Sequence, residues 1–310
     1  MCEIWTMGEM LVEIMRPGAD MQLNEPGEFM GPFPSGAPAI FIDTVARLGH
    51  TAGICGGVGK DDFGKNILDR LKKDGVNVDH VFEDVNNATA VAFVAYFKDG
   101  TRKFIYHIDN TPAVHSKSID IKQIEAPKYF HIMGCSLMIN RSFRDQILNT
   151  AQSFAKSGAK ISFDPNIRPE LLKGRALEDI LGDLIGNCSV LMPGIDELKM
   201  ITGMQTIEDG IEKLLENKKL EVVALKKGNK GSTLYSRKEQ VDIQPYQAKQ
   251  IDPTGAGDCF DAALLCGLLE GKSLFEAGKM AAAAGALNVM KLGPMEGDIS
   301  KSSLEKMMQE

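Results

Sequence analysis

The residues best suited to chemistry lie in the segment 252–258, which reads Asp-Pro-Thr-Gly-Ala-Gly-Asp. Apolar residues follow it at helical spacing, which predicts a helix that begins near Gly257. The first amides of a helix have no carbonyl partner within the helix, and they point outward at the positive end of its dipole. We therefore predict that Gly255, Ala256 and Gly257 form an anion hole, which a phosphate group can approach closely because glycine carries no side chain.

Asp258 stands at the edge of this predicted anion hole. A carboxylate repels a bound anion, so anion binding alone does not explain its position. It does suit a site where a hydroxyl group attacks a phosphoryl group, because the carboxylate can accept the hydroxyl proton. Asp258 is thus predicted to be a general base. The alternative for such a motif in isolation is that Asp258 only stabilises a helix N-terminus.

The stretch from Asp252 to Leu265 resembles the C-terminal signature of the ribokinase-like (pfkB) family of carbohydrate kinases. Other segments resemble that family, in the family's order along the chain: 36–39, 56–64, 164–169, 226–231 and an alanine-rich segment that ends at Asn288. The resemblance covers nearly the whole chain. It implies an α/β enzyme that transfers phosphate from ATP to a sugar with the help of Mg²⁺.

The resemblance also implies roles for residues outside the anion hole. The residues expected to bind the nucleotide are Lys226, Gly228, Gly231 and Asn288. The residues expected to bind the sugar are Glu13, Gly36, Ala37, Tyr106, Asn166 and Arg168. Glu197 is expected to hold Mg²⁺ through water, and Asp252 to lie near a monovalent cation such as K⁺. The alternatives are a turn with solvated lysines at 226–231 and, for Glu197, an exposed acid in the first turn of a helix.

The segments 8–13, 164–169 and 293–297 resemble most closely the 2-keto-3-deoxygluconate kinase branch of the family. This similarity implies a sugar-acid substrate. Arg168 is consistent with that, because a guanidinium group can bind a carboxylate or a phosphate through two hydrogen bonds.

The chain departs from the family pattern at three positions. Ile40 and Gly194 stand where the family has asparagine, and His107 stands where the branch has an arginine. Arg102 and Lys103 lie close to His107 in sequence but are expected to point elsewhere. These differences leave the identity of the sugar open.

We therefore predict an ATP-dependent kinase that phosphorylates a primary hydroxyl of a small sugar or sugar acid. A fructokinase, or another ketohexose or pentose kinase of the same family, is the alternative. A non-catalytic sensor of nucleotide or sugar is a third reading, and a phosphosugar kinase would need more basic residues in the pocket.

Motifs of other enzyme classes are absent or incomplete. Gly271-Lys272-Ser273 ends like a P-loop, but Cys266 occupies the position of the first glycine. The glycine run 56–59 lacks the acidic residue that a dinucleotide site needs further along the chain. Zinc-binding spacings and the G-x-S-x-G motif of serine hydrolases are also missing from the sequence.

The elements that must position these residues alternate between short apolar strands and longer helical patterns. The predicted strands are 3–7, 51–57, 128–132, 160–164, 188–192 and 221–226. The predicted helices are 37–48, 61–74, 141–157, 176–187, 195–202, 257–270 and 274–290. Such alternation is typical of a doubly wound, mostly parallel sheet that helices flank on both faces.

Two segments, 11–33 and 88–112, interrupt this alternation. Within the second, 90–97 and 102–107 alternate in polarity around a turn, which predicts an antiparallel hairpin. We predict a small β-sheet inserted into a single domain of residues 1–310. The resemblance implies that this sheet is a lid over the sugar and that two lids pair in a homodimer.

Composition restricts the partners and the compartment. The net charge of −7 (35 basic and 42 acidic residues), without a basic stripe, argues against nucleic acid or an anionic membrane as partner. The six cysteines are scattered without a C-x-x-C motif, which is typical of reduced thiols in a cytoplasmic protein. We find neither a signal peptide nor a run of 18 apolar residues.

Overall fold

The computed structural model describes residues 2–119 and 124–309 of the chain. The strands are β1 (Ile4–Met7), β2 (Leu11–Met15), β3 (Met30–Ser35), β4 (Ala52–Gly59), β5 (Asn77–Asp84), β6 (Ala90–Tyr96), β7 (Arg102–His107), β8 (Tyr129–Met133), β9 (Lys160–Asp164), β10 (Val190–Leu191), β11 (Val222–Lys226), β12 (Ser232–Tyr235) and β13 (Gln240–Ile243). The helices are α1 (Ala37–Arg47), α2 (Asp62–Lys73), α3 (Gly134–Ile139), α4 (Arg141–Lys156), α5 (Pro169–Leu172), α6 (Leu177–Leu181), α7 (Leu184–Asn187), α8 (Ile195–Thr202), α9 (Ile207–Leu215), α10 (Ala256–Leu269), α11 (Leu274–Val289) and α12 (Lys301–Gln309).

The larger sheet has nine strands in the order β13-β12-β11-β10-β9-β8-β1-β4-β5. The pairs from β11 to β5 are parallel, and β12 and β13 add an antiparallel edge. Every residue of β1, β4 and β8 is buried, as expected for parallel strands that helices cover on both faces. The predicted fold class, a mostly parallel sheet flanked by helices, is confirmed.

Helix α10, which begins with the predicted anion hole, lies in the interior of the molecule. Its residues from Asp258 to Gly267 are all buried. A helix that is apolar on most of its surface is expected to be surrounded by protein. Gly267 allows a close approach to α11, because a Cβ atom there would lie 2.8 Å from the Cβ of Ala277. Helix α10 is therefore held by close packing along its buried length.

The smaller sheet has four strands in the order β3-β2-β6-β7. Strands β6 and β7 form the predicted antiparallel hairpin, and β2 pairs with β6 in parallel. These four strands lie in or directly beside the segments 11–33 and 88–112. Alternate residues of each strand point to opposite faces, so the sheet has one face toward the body of the protein and one face away from it.

The structure corrects several predicted elements. The predicted helix 176–187 is two short helices, α6 and α7, because Gly182 between them has a φ of 50°. Strand β5 was missed because it is a half-exposed edge strand without regular alternation. Helices α3, α9 and α12 and the antiparallel strands β12 and β13 were also missed. The start of α9 could have been predicted, because threonine is favoured at the N-cap of a helix. In the structure, the Thr206 hydroxyl accepts a hydrogen bond from the Asp209 amide.

Two further observations bear on the composition. The six cysteines are free thiols, and five of them are buried. In the part of the chain that the structure describes, no helix combines the length and the apolar character needed to cross a membrane.

Candidate active site

Helix α10 begins at Ala256, one residue earlier than predicted, so the residues of the predicted anion hole lie at its start, although the Ala256 amide donates to the Pro253 carbonyl oxygen. Gly255 is the N-cap with a φ of 81°, a left-handed conformation that favours glycine. A Cβ atom at this position would also lie 2.6 Å from the carbonyl oxygen of Pro294. The amides of Gly257 and Asp258 have no hydrogen-bond partner among residues 2–119 and 124–309. These amides are free to bind an anion.

Asp258 lies in this first turn and is 6% exposed. Its Oδ1 accepts a hydrogen bond from Asn166 Nδ2 at 3.2 Å. Burial and then the negative charge of Asp164 raise the pKa of Asp258 to about 7, while Arg168 and Lys226 oppose the shift. A carboxylate with such a pKa can accept a proton near neutral pH.

A buried cluster of charges lies beside Asp258. Lys226 Nζ donates hydrogen bonds to Asp164 Oδ2 at 2.8 Å and to Asp261 Oδ2 at 3.1 Å. Burial alone would lower the pKa of Lys226, but the two carboxylates outweigh this effect and raise it. The ammonium group is thus held in place by two acids, rather than free in solvent as the alternative reading of the 226–231 turn assumed.

Glu197 caps the start of α8. Its Oε2 accepts a hydrogen bond from the amide of Gly194, and its Oε1 accepts one from the amide of Ile167, both at 2.7 Å. The carboxylate nevertheless borders the same cavity as Asp258. Within the described residues, no group of three or more metal-ligating side chains is found. The water-mediated role for Mg²⁺ stays a prediction, and the capping role is observed.

Three adjacent cavities surround the first turn of α10. The outer cavity, of about 460 Å³, is bordered by Gly228, Gly231 and Ala256. The middle cavity, of about 170 Å³, is bordered by Asp164, Glu197 and Asn166. The inner cavity, of about 60 Å³, is bordered by Glu13, Gly36, Ala37 and Tyr106.

Residues that line two cavities show where those cavities adjoin. Gly257 and Lys226 border both the outer and the middle cavity. Asp258, Gly255 and Arg168 border both the middle and the inner cavity. Asp258 is therefore situated between the middle and the inner cavity.

The structure brings the predicted sugar-binding residues together around the inner cavity, where Ile40 also lies. Glu13 accepts a hydrogen bond from Ser35 Oγ at 2.6 Å, and burial raises the pKa of Glu13 to about 7. The Arg168 guanidinium makes one hydrogen bond, to the carbonyl oxygen of Ile167, and no ion pair with a described residue. The inner cavity is thus bordered by three buried acids, Glu9, Glu13 and Asp258, and by two arginines, Arg102 and Arg168, for which no ion pair is found among the described residues.

Asn288, which was expected to bind the nucleotide, does not border the outer cavity, and its role toward the nucleotide stays a prediction. It is fully buried, and its Nδ2 donates a hydrogen bond to the carbonyl oxygen of Thr254 at 2.7 Å. It therefore supports the loop that precedes α10. The sequence did not reveal this, because a polar residue on an apolar helix can serve either a ligand or a neighbouring loop.

Asp252 lies in the same loop. Its Oδ1 accepts hydrogen bonds from the Thr254 amide at 2.9 Å and from the Tyr96 hydroxyl at 2.8 Å, and its Oδ2 accepts one from the Gly293 amide at 2.9 Å. A monovalent cation near Asp252 stays a prediction from the family resemblance.

Several residues of the site were missed by sequence reasoning. Glu9 borders the inner cavity and accepts hydrogen bonds from Cys135 Sγ at 3.2 Å and from Ser136 Oγ. Arg102, which was expected to point elsewhere, borders the middle and inner cavities. Among the residues missed, only Asp261 could have been found from the sequence, because it lies three residues after Asp258 and hence on the same face of the helix.

The fold and the site together define a class of protein. A buried carboxylate with a pKa near 7, between two cavities at a helix N-terminus in a doubly wound sheet, is suited to phosphoryl transfer onto a hydroxyl group. Residues 17–301 match the family model of pfkB family carbohydrate kinases. The chain belongs to this family, and the prediction of an ATP-dependent sugar kinase is confirmed.

Individual relatives agree with this assignment. A crystal structure from E. coli, provisionally described as Ribokinase II, is 37% identical and has a TM-score of 0.93, covering all of this chain and 99% of that chain. The same type of protein has also been solved in complex with ATP and Mg²⁺, with a TM-score of 0.92. Fructokinase-1 of Oryza sativa subsp. japonica is 30% identical over 98% of this chain and 97% of its own length.

A crystal structure of fructokinase from Vibrio cholerae O395, bound to fructose, ADP and calcium, is 23% identical with a TM-score of 0.84, which shows the shared fold. Relatives named fructokinases fit the alternative prediction, a ketohexose kinase, better than the 2-keto-3-deoxygluconate kinase branch.

Proposed function

We propose that the protein transfers the γ-phosphoryl group of ATP to a primary hydroxyl of a ketohexose such as fructose. The observation that carries this proposal is the position of Asp258, which borders the inner cavity and the middle cavity at the start of α10. The relatives named fructokinases support the choice of a ketohexose.

In the proposed reaction, the sugar occupies the inner cavity and ATP the outer one. The γ-phosphoryl group lies in the middle cavity, near the amides of Gly257 and Asp258. Asp258 accepts the proton of the sugar hydroxyl as its oxygen attacks the phosphorus, and the amides stabilise the charge that develops on the transferred group. Mg²⁺, held through water by Glu197, would neutralise charge on the ATP phosphates. Lys226 adds positive charge at the junction of the outer and middle cavities.

We propose further that residues 1–310 form one kinase domain, with the segments 11–33 and 88–112 as a lid over the sugar. Arg102, Phe104 and Tyr106 of β7 support this role, because they border the inner cavity.

We also propose that a monovalent cation lies near Asp252. The free cysteines support a location in the cytoplasm.

The outer face of the lid supports a homodimer. Ile105 of this sheet is 42% exposed, and Phe29, which directly precedes β3 and packs on Phe93 of the same face, is 41% exposed. Exposed apolar residues that cluster on one face are typical of an association surface. We propose that two copies pair through these faces.

One observation favours a second candidate, a sugar acid. Arg168 is half-buried and borders the inner cavity without a carboxylate partner among the described residues, and a guanidinium group in such a site is stabilised by an anion. His107 cannot supply the second cation of the 2-keto-3-deoxygluconate kinase branch, because it packs on Phe93 at 5.9 Å, on the opposite face from Tyr106. Arg102 borders the cavity in its place.

A substrate screen tests the proposal. The protein is incubated with ATP and Mg²⁺ and with fructose, pentoses, nucleosides, hexose phosphates or 2-keto-3-deoxy sugar acids, and ADP release is measured. We expect the highest kcat/KM for a ketohexose, with the phosphate on a primary carbon. Turnover confined to sugar acids would establish the second candidate instead. Slow ATP hydrolysis that no sugar stimulates would contradict both and indicate a sensor.

Arg168 separates the two candidates independently. With a sugar acid, Arg168→Met removes two charge-assisted hydrogen bonds, so KM should rise by about a hundredfold, whereas Arg168→Lys retains part of the affinity. With fructose, both variants should change KM by less than about tenfold, the scale of a single neutral hydrogen bond.

A further inference from the structure

The loop Asp252–Gly255, which leads into the anion hole, is held from three directions. From α11, Asn288 Nδ2 donates a hydrogen bond to the carbonyl oxygen of Thr254. From the segment after α11, the Gly293 amide donates to Asp252 Oδ2. From the smaller sheet, the hydroxyl of Tyr96 lies 2.8 Å from Asp252 Oδ1 and 2.6 Å from Thr254 Oγ1.

The third of these attachments differs in kind from the other two. Asn288 and Gly293 belong to the body of the molecule, which the nine-stranded sheet and its helices make rigid. Tyr96 is the last residue of β6, in the sheet that borders the sugar cavity. Within residues 2–119 and 124–309, Tyr96 is the one residue of that sheet that forms a hydrogen bond with the loop Asp252–Gly255.

Tyr96 shares a face of the sheet with residues of the inner cavity. It pairs across the hairpin with Arg102, and Ala92 pairs with Tyr106, so these side chains point to the same side. Arg102 and Tyr106 both border the inner cavity, as does Thr254. A sugar that contacts this face of the lid therefore acts on the sheet whose end residue bonds the anion-hole loop.

The chemistry of the contact suits a neutral phenol that donates to a carboxylate. Asp252 is 1% exposed and Thr254 is 6% exposed, so solvent does not replace the phenol easily. Burial and then the charge of Asp252 raise the pKa of Tyr96, which keeps its hydroxyl protonated. Hydrogen bonds to charged groups are among the stronger ones in proteins, and breaking one that is buried leaves the carboxylate poorly solvated.

We propose that Tyr96 is a positioning residue that couples the lid to the anion hole, so that sugar bound under the lid fixes the loop Asp252–Gly255 in the conformation that binds the ATP phosphates. The inference rests on the proposed function, because it requires both ligands. It predicts that the sugar tightens the binding of ATP, and that ATP tightens the binding of the sugar by the same factor, as thermodynamic linkage demands.

Calorimetry on the full chain tests this proposal. The dissociation constant of the non-hydrolysable ATP analogue AMP-PNP with Mg²⁺ is measured with and without saturating fructose, or with the sugar acid if the substrate screen selects it. The ratio of the two constants is the coupling factor, which lies at about 5–150 for typical allosteric pairs. In Tyr96→Phe, we expect this factor to fall about tenfold, or to unity if the wild-type factor is below ten. A tenfold fall corresponds to the loss of one hydrogen bond to a charged group. AMP-PNP alone should bind within about threefold of the wild-type affinity, a change too small for a lost hydrogen bond.

Tyr129→Phe is the matched control, because Tyr129 is a buried tyrosine on β8 that takes no part in the cavities. Its coupling factor should equal that of the wild type. Thr254 provides a second test if Tyr96→Phe does not fold: Thr254→Val should lose the coupling, and Thr254→Ser, which keeps the hydroxyl, should retain it.

The outcomes separate the inference from the function on which it rests. Unchanged coupling in Tyr96→Phe, equal loss in Tyr129→Phe, or no coupling in the wild type would each overturn the inference while leaving the kinase proposal intact. Failure of the wild-type chain to bind AMP-PNP and any sugar would contradict the proposed function, and the inference with it.

Discussion

A carboxylic acid in water loses its proton near pH 4, which makes it a weak base at neutral pH. Asp258 departs from this behaviour because it is buried and because the negative charge of Asp164 lies close by, and its pKa rises to about 7. Arg168 and Lys226 limit the rise, so the group still ionises near neutrality. The balance of two acids and two cations thus gives one carboxylate the properties of a general base.

Replacing Asp258 with asparagine tests its role directly. Asp258→Asn keeps the shape of the side chain but cannot accept the proton, so we expect kcat to fall by at least about a hundredfold. Binding of AMP-PNP, measured by calorimetry, should persist. Asp196→Asn is the matched control, because Asp196 is an exposed acid in the first turn of α8 and should have wild-type turnover. Turnover of Asp258→Asn within severalfold of the wild type would remove Asp258 from the role of base.

The pH dependence of kcat/KM for the sugar provides an independent test, because this parameter reports the pKa of the free enzyme. Only the ionised form of Asp258 accepts a proton, so kcat/KM should be maximal above pH 7 and fall as the pH decreases through about 7. One pH unit below the pKa, about a tenth of the maximal value should remain.

Asp164 sets the position of this acidic limb. Because its charge raises the pKa of Asp258, Asp164→Asn should shift the limb to lower pH. A limb that stays in place in Asp164→Asn, or moves to higher pH, would show that another group controls the reaction.

At the scale of elements, the site forms where several strands end. Asp164 is the last residue of β9 and Lys226 is the last residue of β11, while Glu197 follows β10 at the start of α8. The carboxyl ends of parallel strands lie at one edge of a sheet, which is where ligands bind in open α/β folds. Helix α10 adds its N-terminus at the same edge. The buried charges therefore converge although they are far apart in sequence.

Gly255 is the backbone position on which the anion hole depends. Gly255→Ala would place a Cβ atom 2.6 Å from the Pro294 carbonyl oxygen and 3.1 Å from Asn288 Nδ2, so the loop would have to move. We expect kcat/KM for ATP to fall by at least about tenfold, because oxyanion-type donors lose their effect when displaced. A steady-state titration of ATP measures this change.

Gly271 is the matched control for Gly255. It follows the end of α10 with a φ of 73°, and no atom lies within 4 Å of its ideal Cβ. Gly271→Ala should therefore lower the free energy of unfolding by about 1–2 kcal/mol through backbone strain. Its kcat/KM should stay close to that of the wild type. Equal kinetic losses in both variants would mean that strain, rather than displacement of the anion hole, explains the effect.

At the scale of the whole molecule, the lid presents apolar residues away from the body of the protein. Ile105 lies opposite Phe93 on the outer face of the hairpin, and Phe29 packs against Phe93 with ring centroids 5.8 Å apart. Such a patch costs free energy in water and is best covered by a partner with the same surface. The net charge of −7 makes copies repel one another, so pairing would be confined to this face.

Ile105→Lys tests the proposed homodimer. A charge in the centre of the patch should convert a dimer into a monomer, which analytical ultracentrifugation at micromolar concentration would detect. Met200→Lys is the control, because Met200 is 55% exposed on α8, away from the lid, and should leave the dimer intact. A wild-type chain that sediments as a monomer would contradict the proposal.

The sequence alone determined the fold class, the family and the features that are local along the chain. The start of α10 and the place of Asp258 in its first turn could be predicted because a helix N-terminus, its glycines and the acid that follows are a few residues apart. The hairpin of β6 and β7 could be predicted for the same reason. The break between α6 and α7 could not, because it depends on the φ of 50° that Gly182 adopts, and an isolated glycine in a helical pattern can also continue the helix.

The tertiary structure decided which distant residues meet. Lys226 is 62 residues from Asp164 and 35 from Asp261, and Tyr96 is 156 residues from Asp252. No spacing rule relates such positions, because their contacts depend on how the sheet twists and how the lid closes over it. The pKa of Asp258 and the orientation of Asn288 toward the loop follow from those contacts, so they became visible only in the folded molecule.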